Sequence, residues 1–251
     1  MKIAGFNGSS RGARGNTNVM LNAFLAGARS AGADTEAVIL IKHRINRCLA
    51  CVKCWTRTPG KCVQRDDMAP LLDKYMAADI VVLATPVYVH NVSGTMKVFM
   101  DRMIPLTDPR FVEATEGETI HRKRYDKYPD LVAMASGGFP DLSHFAVLDL
   151  LFSKIAESSH AKLVAKIFRP GGNLLTVKSD LLEPIQRSYL ALVQRAGREV
   201  VEQGRLSAEL YDELNKPLVP KNLYIAQANR VWEELMVREQ QAAERKRERG
   251  A

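Results

Sequence analysis

Short apolar runs and longer helical stretches alternate along most of the chain. The runs with the length and composition of strands are 2–7, 35–41, 79–85, 131–136 and 162–168. Between and after them, apolar residues recur at helical spacing near 19–28, 66–78, 95–104, 141–158 and 180–203. This alternation predicts an α/β protein with a parallel sheet and helical crossovers. Five strands fit the flavodoxin-like doubly wound order.

Two segments of the chain exceed what such a sheet requires. Residues 106–130 are polar and charged, and we interpret them as an inserted loop. Residues 205–251 predict a helical C-terminal extension, with a short helix at 207–214 and then an apolar stripe of Ile225, Ala228, Val231, Trp232, Leu235 and Met236. The stripe either packs on its own domain or docks on another subunit. The predicted division is a flavodoxin-like domain at 1–204, which includes a cysteine loop at 43–65, and the extension at 205–251.

Three polar loops follow predicted strands, at the edge of the sheet where doubly wound proteins bind ligands. We name them the first loop (8–17), the second loop (86–94) and the third loop (137–140), and we expect them to converge. The first loop leads into a helix, so free backbone N–H groups and a positive dipole end meet there and suit a phosphate. It matches neither G-x-G-x-x-G nor a Walker A sequence. The alternative interpretation is an ordinary surface loop that caps the helix.

Composition and charge narrow the class of protein only slightly. The 251 residues carry a net charge of +8, which favours anionic partners such as nucleotides or acidic proteins without choosing among them. The N-terminus lacks a secretory apolar region, and no apolar run approaches the ~18–20 residues that span a bilayer. We therefore expect a soluble, cytoplasmic protein with no membrane partner. In that compartment close cysteines favour metal binding or catalysis over disulfides.

All four cysteines lie in one stretch of the chain with the spacing C-x2-C-x2-C-x7-C, at Cys48, Cys51, Cys54 and Cys62. Thiolates at this spacing suit an iron–sulfur cluster. Zinc is the competing metal, although its structural sites usually pair two separate knuckles, and unligated thiols are a third interpretation. No acidic residue lies between Lys42 and Asp66, whereas seven basic residues do if Lys42 is counted. Such surroundings favour thiolates and an anionic cluster, or else form a solvated basic loop or a landing site for an acidic partner or the phosphate of NADPH.

These loops together resemble the flavodoxin-fold family of NAD(P)H-dependent FMN reductases, in particular its iron–sulfur flavoprotein branch. The first loop is similar to the family's G-S-P-R-x-x-G-N-T, and residues 85–94, T-P-V-Y-V-H-N-V-S-G, resemble its S-P-V-Y-F-G-N-V-S-G. The cysteine stretch resembles the C-x2-C-x2-C-x4–7-C motif of the branch. The likeness covers about residues 1–170. Departures from it include Ser10, which replaces a proline, and His90, which replaces a glycine.

The resemblance implies a set of cofactor-binding residues. The FMN phosphate would contact the first loop and the start of its helix, at Ser9, Ser10, Arg11, Asn16, Thr17 and Asn18. The flavin ring would contact Pro86, Val87, Tyr88, Val89, His90 and Asn91, with Gly137 and Gly138 at its other edge. A [4Fe–4S] cluster would be held by Cys48, Cys51, Cys54 and Cys62. The flavin carries the chemistry, so no catalytic side chain is required, and His90 is the one candidate.

Three functions follow as hypotheses. The first is an FMN-dependent oxidoreductase that passes electrons between a reduced donor (NAD(P)H or ferredoxin), a [4Fe–4S] cluster and FMN to a small acceptor. The second is a cluster-free NAD(P)H-dependent FMN or quinone reductase. The third is a sensor or nucleic-acid-associated module, which only the basic charge favours. The expected partners are a small-molecule or protein redox partner and, by the resemblance, further copies of the chain in a homodimer or homotetramer.

Overall fold

The computed structural model describes residues 1–114 and 117–249, with side chains described up to residue 245. A parallel sheet of five strands forms its centre, in the order β2-β1-β3-β6-β7. These strands are β1 (Lys2–Asn7), β2 (Asp34–Ile39), β3 (Ile80–Pro86), β6 (Asp130–Ser136) and β7 (Leu163–Arg169). The order confirms the predicted flavodoxin-like doubly wound sheet, in which the chain reverses direction across the sheet beside β1.

Helices follow the strands as the apolar spacing predicts. The longer ones in the sheet domain are α1 (Asn16–Ser30), α3 (Met68–Met76), α4 (Gly94–Asp101), α5 (Ala146–Ser158) and α6 (Glu183–Gln203). A single turn, α2 (Lys53–Thr56), lies inside the cysteine loop. Short 3-10 helices occur at Gly12–Arg14, Leu40–Lys42, Ile104–Leu106, Leu142–Phe145 and Gly172–Thr176.

The core lies on both faces of the sheet. Every residue of β3 is buried, as expected for a parallel strand that helices cover on both sides. On one face α1 crosses α6 at two glycines. A Cβ on Gly27 would lie 1.8 Å from the carbonyl oxygen of Gln194, and one on Gly197 would lie 2.0 Å from that of Phe24. This close approach fixes α1, and therefore its first turn, at the carboxyl end of β1.

The segment interpreted as an inserted loop forms a β-hairpin instead. Strands β4 (Thr107–Glu113) and β5 (Thr119–Lys123) pair in antiparallel orientation, with Phe111 opposite His121. Asp108 binds Arg110 through both carboxylate oxygens at 2.8 Å. Some of the charged residues that made the segment look irregular therefore pair with each other, since Arg122 also contacts Asp108.

The C-terminal region is helical, as predicted. Helix α7 (Ala208–Asn215) belongs to the compact unit that runs from Met1 to Lys216, where it packs on α6 and β7. The second unit begins at Pro217 and contains α8 (Lys221–Arg249), which carries the apolar stripe. None of the helices in the described part of the chain is both long and apolar enough to cross a bilayer.

Candidate functional site

The first, second and third loops meet at the carboxyl edge of the sheet, as predicted. The Ser93 hydroxyl donates to the carbonyl oxygen of Gly8 at 2.5 Å, which joins the second loop to the first. The N–H of Val87 donates to the carbonyl oxygen of Ser136 at 2.8 Å. The hydroxyls of Ser136 and Thr17 lie 2.9 Å apart and share a hydrogen bond. Direct bonds between chain segments distant in sequence therefore hold the three loops in one place.

Buried polar side chains shape the first loop from inside. Asn7 is fully buried; its Nδ2 donates to Oδ1 of Asn18 at 3.0 Å, and its Oδ1 accepts from the N–H of Ser9 at 2.8 Å. Ser9 Oγ accepts from the N–H of Arg11, and Asn18 Nδ2 donates to the carbonyl oxygen of Ala13. The side chains of Ser9 and Asn18 thus make bonds within the protein and hold the shape of the loop.

The first turn of α1 faces the same place with unpaired donors. In the described part of the chain the N–H groups of Asn16 and Thr17 have no acceptor, and the preceding Gly15 supplies no side-chain cap. Such N–H groups, together with the positive end of the helix dipole, form an anion site. Ser10 and Arg11 are exposed at the rim of the loop. The geometry suits a phosphate bound mainly by backbone N–H groups.

The second loop turns through two residues in the left-handed region. Tyr88 and Asn91 exchange backbone hydrogen bonds of 2.9 and 3.0 Å, and between them Val89 has φ 48° and His90 has φ 58°. Two consecutive positive φ values define a type I′ turn, which favours glycine or asparagine. Histidine tolerates this region better than the β-branched Val89, which costs on the order of 1–3 kcal/mol there. The backbone thus explains why a glycine suits position 90 in the family motif.

Flat rings connect the second loop to the third. The His144 ring stacks on Phe139 with centroids 4.1 Å apart, and it also stacks with His90 at 5.2 Å. Gly138 is open, since a Cβ built there would have no atom within 4 Å. The mouth of the site is therefore edged by a stack of rings and by backbone that a planar ligand can approach.

The four cysteines line one pocket. All are free thiols; Cys51 is exposed, and Cys48, Cys54 and Cys62 are half-buried. Burial, and then the nearby Cys62, raise the pKa of the Cys54 thiol. No three His, Cys, Asp or Glu side chains among the described residues converge closely enough to hold a single metal ion.

Zinc and an iron–sulfur cluster place different demands on four thiolates. A tetrahedral zinc with Zn–S bonds of ~2.3 Å would draw its thiolates to roughly 3.8 Å from each other. In a cubane cluster each thiolate binds a different iron, so the sulfurs stand farther apart. Zinc and a cubane cluster thus require different sulfur–sulfur separations.

The backbone around Cys51 is unusual in a way that suits an anion. Ala50 and Val52 flank it with φ 50° and φ 49°, in the left-handed region. Backbone turns of this kind direct successive N–H groups into an anion-binding hollow, and iron–sulfur sites use them. Of the five non-glycine residues with positive φ in the described chain, four lie in the cysteine loop or the second loop. Such strain concentrates at functional sites.

A buried ion pair closes the base of the cysteine loop. The side chains of Arg102 and Asp66 are each 1% exposed, and their two hydrogen bonds measure 2.6 and 3.1 Å. Burial alone would raise the pKa of Asp66, but the bonds from Arg102 and from the N–H of Asn46 hold it below its usual range. Arg102 also donates to the carbonyl oxygen of Asn46 at 2.6 Å and to Sγ of Cys62 at 3.5 Å.

The hairpin packs on the cysteine loop through Trp55. Its indole N–H donates to the carbonyl oxygen of Ile104 at 3.0 Å, and its ring lies 4.9 Å from that of His121 on β5. His121 in turn lies 5.2 Å from Phe111 on β4. The insertion therefore covers one side of the cysteine loop with aromatic surface.

Several residues that organise the site were not predicted from the sequence. Ser93 caps α4 by accepting from the N–H of Met96, and a serine before an apolar helical stretch is a recognisable cap signal. Asn7 is a polar residue at the end of a buried strand, which is a weaker signal. Arg102 and Asp66 lie 36 residues apart in sequence, so no local pattern announces their pairing.

This combination of a doubly wound sheet, a helix N-terminus prepared for an anion and two further strand-end loops defines the flavodoxin-like class of flavin-binding proteins. The family model for the NADPH-dependent FMN reductases matches residues 1–138. The chain therefore belongs to the NADPH-dependent FMN reductase family, as its motifs predict.

Similar proteins of known name include iron–sulfur flavoproteins. One from Archaeoglobus fulgidus is 43% identical over 105 residues, which cover 42% of this chain and 46% of that protein. One from Methanosarcina thermophila is 34% identical over 111 residues, covering 44% and 56%. The chain thus spans about half the length of the curated relatives it matches.

Solved structures share the fold at low sequence identity. An FMN-dependent NADH-azoreductase from Bacillus anthracis, determined with FMN, superposes with a TM-score of 0.57 at 14% identity, over 80% of this chain and 99% of that one. An NAD(P)H:quinone oxidoreductase from Methanothermobacter marburgensis gives a TM-score of 0.56 at 17% identity, over 79% and 95%. At these identities the likeness concerns the fold alone.

Proposed function

We propose that the chain is an FMN-dependent oxidoreductase of the iron–sulfur flavoprotein type. It would pass electrons between a reduced donor, a [4Fe–4S] cluster and FMN to a small acceptor. The observation that carries the FMN part is the first turn of α1, whose unpaired N–H groups lie where three strand-end loops converge. Family membership supports the same assignment.

The residues of the three loops would bind and orient FMN. The N–H groups of Asn16 and Thr17 would hold the phosphate, with Ser10 and Arg11 at its rim, while Asn7 keeps the loop in shape. The second and third loops would hold the ring by backbone contacts. Bound FMN supplies both hydride and one-electron chemistry. The chain itself needs only to position the ring and exclude water.

The cysteine loop would hold the cluster. Cys48, Cys51, Cys54 and Cys62 share one pocket, and the left-handed backbone at Ala50 and Val52 suits an anionic group. A bound cluster supplies one-electron transfer. Iron–sulfur flavoproteins among the relatives support this assignment.

The donor, the acceptor and the assembly are proposals of the same kind. We propose NAD(P)H or ferredoxin as donor, a small molecule as acceptor and a cytoplasmic homodimer or homotetramer. The basic cysteine loop would favour an acidic donor protein. Light scattering of the purified chain tests the assembly, and a monomer mass would contradict it.

Anaerobic purification followed by analysis of flavin, iron and acid-labile sulfide tests the function. One FMN with about four iron and four sulfide per chain is the expected result. FMN without iron, with NAD(P)H oxidation retained, would instead support a cluster-free FMN or quinone reductase. A chain that binds no FMN on titration would contradict both.

A further inference from the structure

Arg102 occupies an unusual position between the two candidate sites. It follows α4 directly, and the other end of that helix is capped by Ser93, which also bonds to the first loop. The guanidinium is almost fully buried, beneath the pocket that the four cysteines line. A helix of eight residues is about 12 Å long, so one short helix separates Arg102 from the loops that would hold FMN.

The contacts of Arg102 join the two ends of the cysteine loop. Its guanidinium bonds to the carbonyl oxygen of Asn46, which lies before Cys48, and to the sulfur of Cys62, the last cysteine. Its partner Asp66 accepts from the N–H groups of Asn46 and Met68 at 2.9 and 3.2 Å. The ion pair therefore acts as a clamp that holds the entry and the exit of the loop together.

Stability alone does not account for this clamp. Replacing a buried ion pair by apolar side chains is often neutral or stabilising, because desolvation offsets the attraction. In addition, Nε of Arg102 is buried without a hydrogen-bond partner in the described chain, which costs free energy. The arginine at this position therefore carries a cost that an apolar residue would avoid. An apolar residue could not donate a hydrogen bond to the sulfur of Cys62, as Arg102 does.

We propose that Arg102 is a positioning residue that closes the cysteine loop and, by donating to the Cys62 sulfur, raises the reduction potential of the centre held there, with Asp66 opposing it. The second part of this inference rests on the proposed cluster. Hydrogen bonds to sulfur and net local charge set cluster potentials. Reduction adds negative charge, so a donor and a positive charge stabilise the reduced state, whereas the carboxylate of Asp66 disfavours it.

The decisive experiment compares three variants of the full chain, purified anaerobically and loaded with FMN, iron and sulfide. Arg102→Lys keeps the charge but loses the fork that reaches Asp66, Asn46 and Cys62 together. Asp66→Asn removes the opposing charge. Arg57→Gln is the control, since it removes one exposed charge from the same loop. The midpoint potential is measured by EPR-monitored titration, and the rate of iron loss by a chelator.

The expected shifts in potential have opposite signs. Arg102→Lys should lower the potential and Asp66→Asn should raise it, while both lose iron about tenfold faster and Arg57→Gln stays near the wild type. A purely structural role would hasten iron loss in both variants without opposite shifts in potential. Wild-type potentials in both variants, or shifts of the same sign, would overturn the inference.

The clamp also has a test that does not need a cluster. In the FMN-loaded, iron-free chain, trypsin should cut within the cysteine loop, at Lys53, Arg57 or Lys61, about tenfold faster in Arg102→Lys than in the wild type. Equal cleavage would overturn the clamp itself. A wild type that takes up no iron would contradict the proposed cluster, and the proteolysis result would still decide the clamp.

A fourth variant tests the inference in case the single variants fail to fold. If the single variants lose FMN, the apolar double variant Arg102→Met with Asp66→Leu should fold, because no buried charge is left unpaired. It should keep FMN and release iron about tenfold faster than the wild type. Unchanged iron release in that variant would equally overturn the inference.

Discussion

The first loop and the cysteine loop are both candidate cofactor sites, but the protein builds them in different ways. Around the first loop, polar side chains are buried and paired with one another, with Asn7 at the centre. In the cysteine loop the buried ion pair of Arg102 and Asp66 lies at the base, and the four thiols form no disulfide. The polar side chains of the first loop thus bond to the protein itself, whereas the four cysteines are free thiols.

This difference has an energetic meaning. A loop held by internal hydrogen bonds is pre-organised and loses little conformational entropy when a ligand binds. A loop whose thiols must rearrange around a metal centre includes that cost in its metal affinity. The strained residues Ala50 and Val52 belong to the second kind of loop. We therefore expect the two sites to fail independently and to respond to different perturbations.

The largest expected effect is loss of the cluster without loss of the flavin. Cys51→Ser removes one of four thiolates, so iron should fall from about four per chain to near zero. FMN affinity should stay within about twofold, because the first loop makes its bonds elsewhere. Metal analysis and flavin titration of the same preparation measure both quantities. Loss of FMN in this variant would break the comparison, since the two sites would then depend on each other.

The converse change should weaken FMN and spare iron. Asn7→Ala leaves the N–H of Ser9 and the amide of Asn18 without their buried partner, at a cost of about 1–3 kcal/mol. If that cost falls on the FMN-binding form of the loop, FMN affinity should drop by roughly 5- to 150-fold. Flavin fluorescence titration measures it, with Asn22→Ala at an exposed position of α1 as the matched control. Equal affinities in the two variants would show that the first loop does not need its interior bonds.

A smaller effect concerns thiol reactivity in the iron-free chain. Burial and the neighbouring Cys62 raise the pKa of Cys54, so at mildly alkaline pH less of it is thiolate than at an ordinary cysteine. Iodoacetamide should therefore modify Cys54 more slowly than the exposed Cys51 in the same molecule. The rate at Cys54 should keep rising to higher pH. Mass spectrometry of the labelled peptides follows both sites, and equal rates with equal pH profiles would contradict the expectation.

The smallest expected effect is a gain in stability in the second loop. Val89 is 96% exposed at φ 48°, so Val89→Gly removes strain and should add about 0.5–1 kcal/mol to the free energy of unfolding. The control is Val177→Gly at an exposed position with φ −72°, where glycine should destabilise. Thermal unfolding of the FMN-free chain compares them. A loss of stability in both variants would mean that the turn carries no relievable strain.

Features set by local sequence patterns were predicted, whereas contacts between residues distant in sequence were not. The five strands and the three converging loops followed from apolar periodicity and strand-end position, because both are local properties of the chain. The hairpin at β4 and β5 was interpreted as a loop, since charged and polar residues dominate it and its few apolar residues, such as Phe111 and Val112, do not alternate with them. The pairing of Arg102 with Asp66 depends on tertiary structure, so no spacing rule predicts it.

Helix α4 makes the relative position of the two candidate sites sensitive to a change in its own length. Ser93 fixes its beginning to the first loop, and Arg102 fixes its end to the cysteine loop. Each inserted residue would move the end by about 1.5 Å and turn it by about 100°. Arg102 would then point away from Cys62, although every motif residue remained in place. The length of this helix therefore sets the distance between the two candidate cofactor sites. A one-residue insertion would break the bond from Arg102 to Cys62 even though all four cysteines remained.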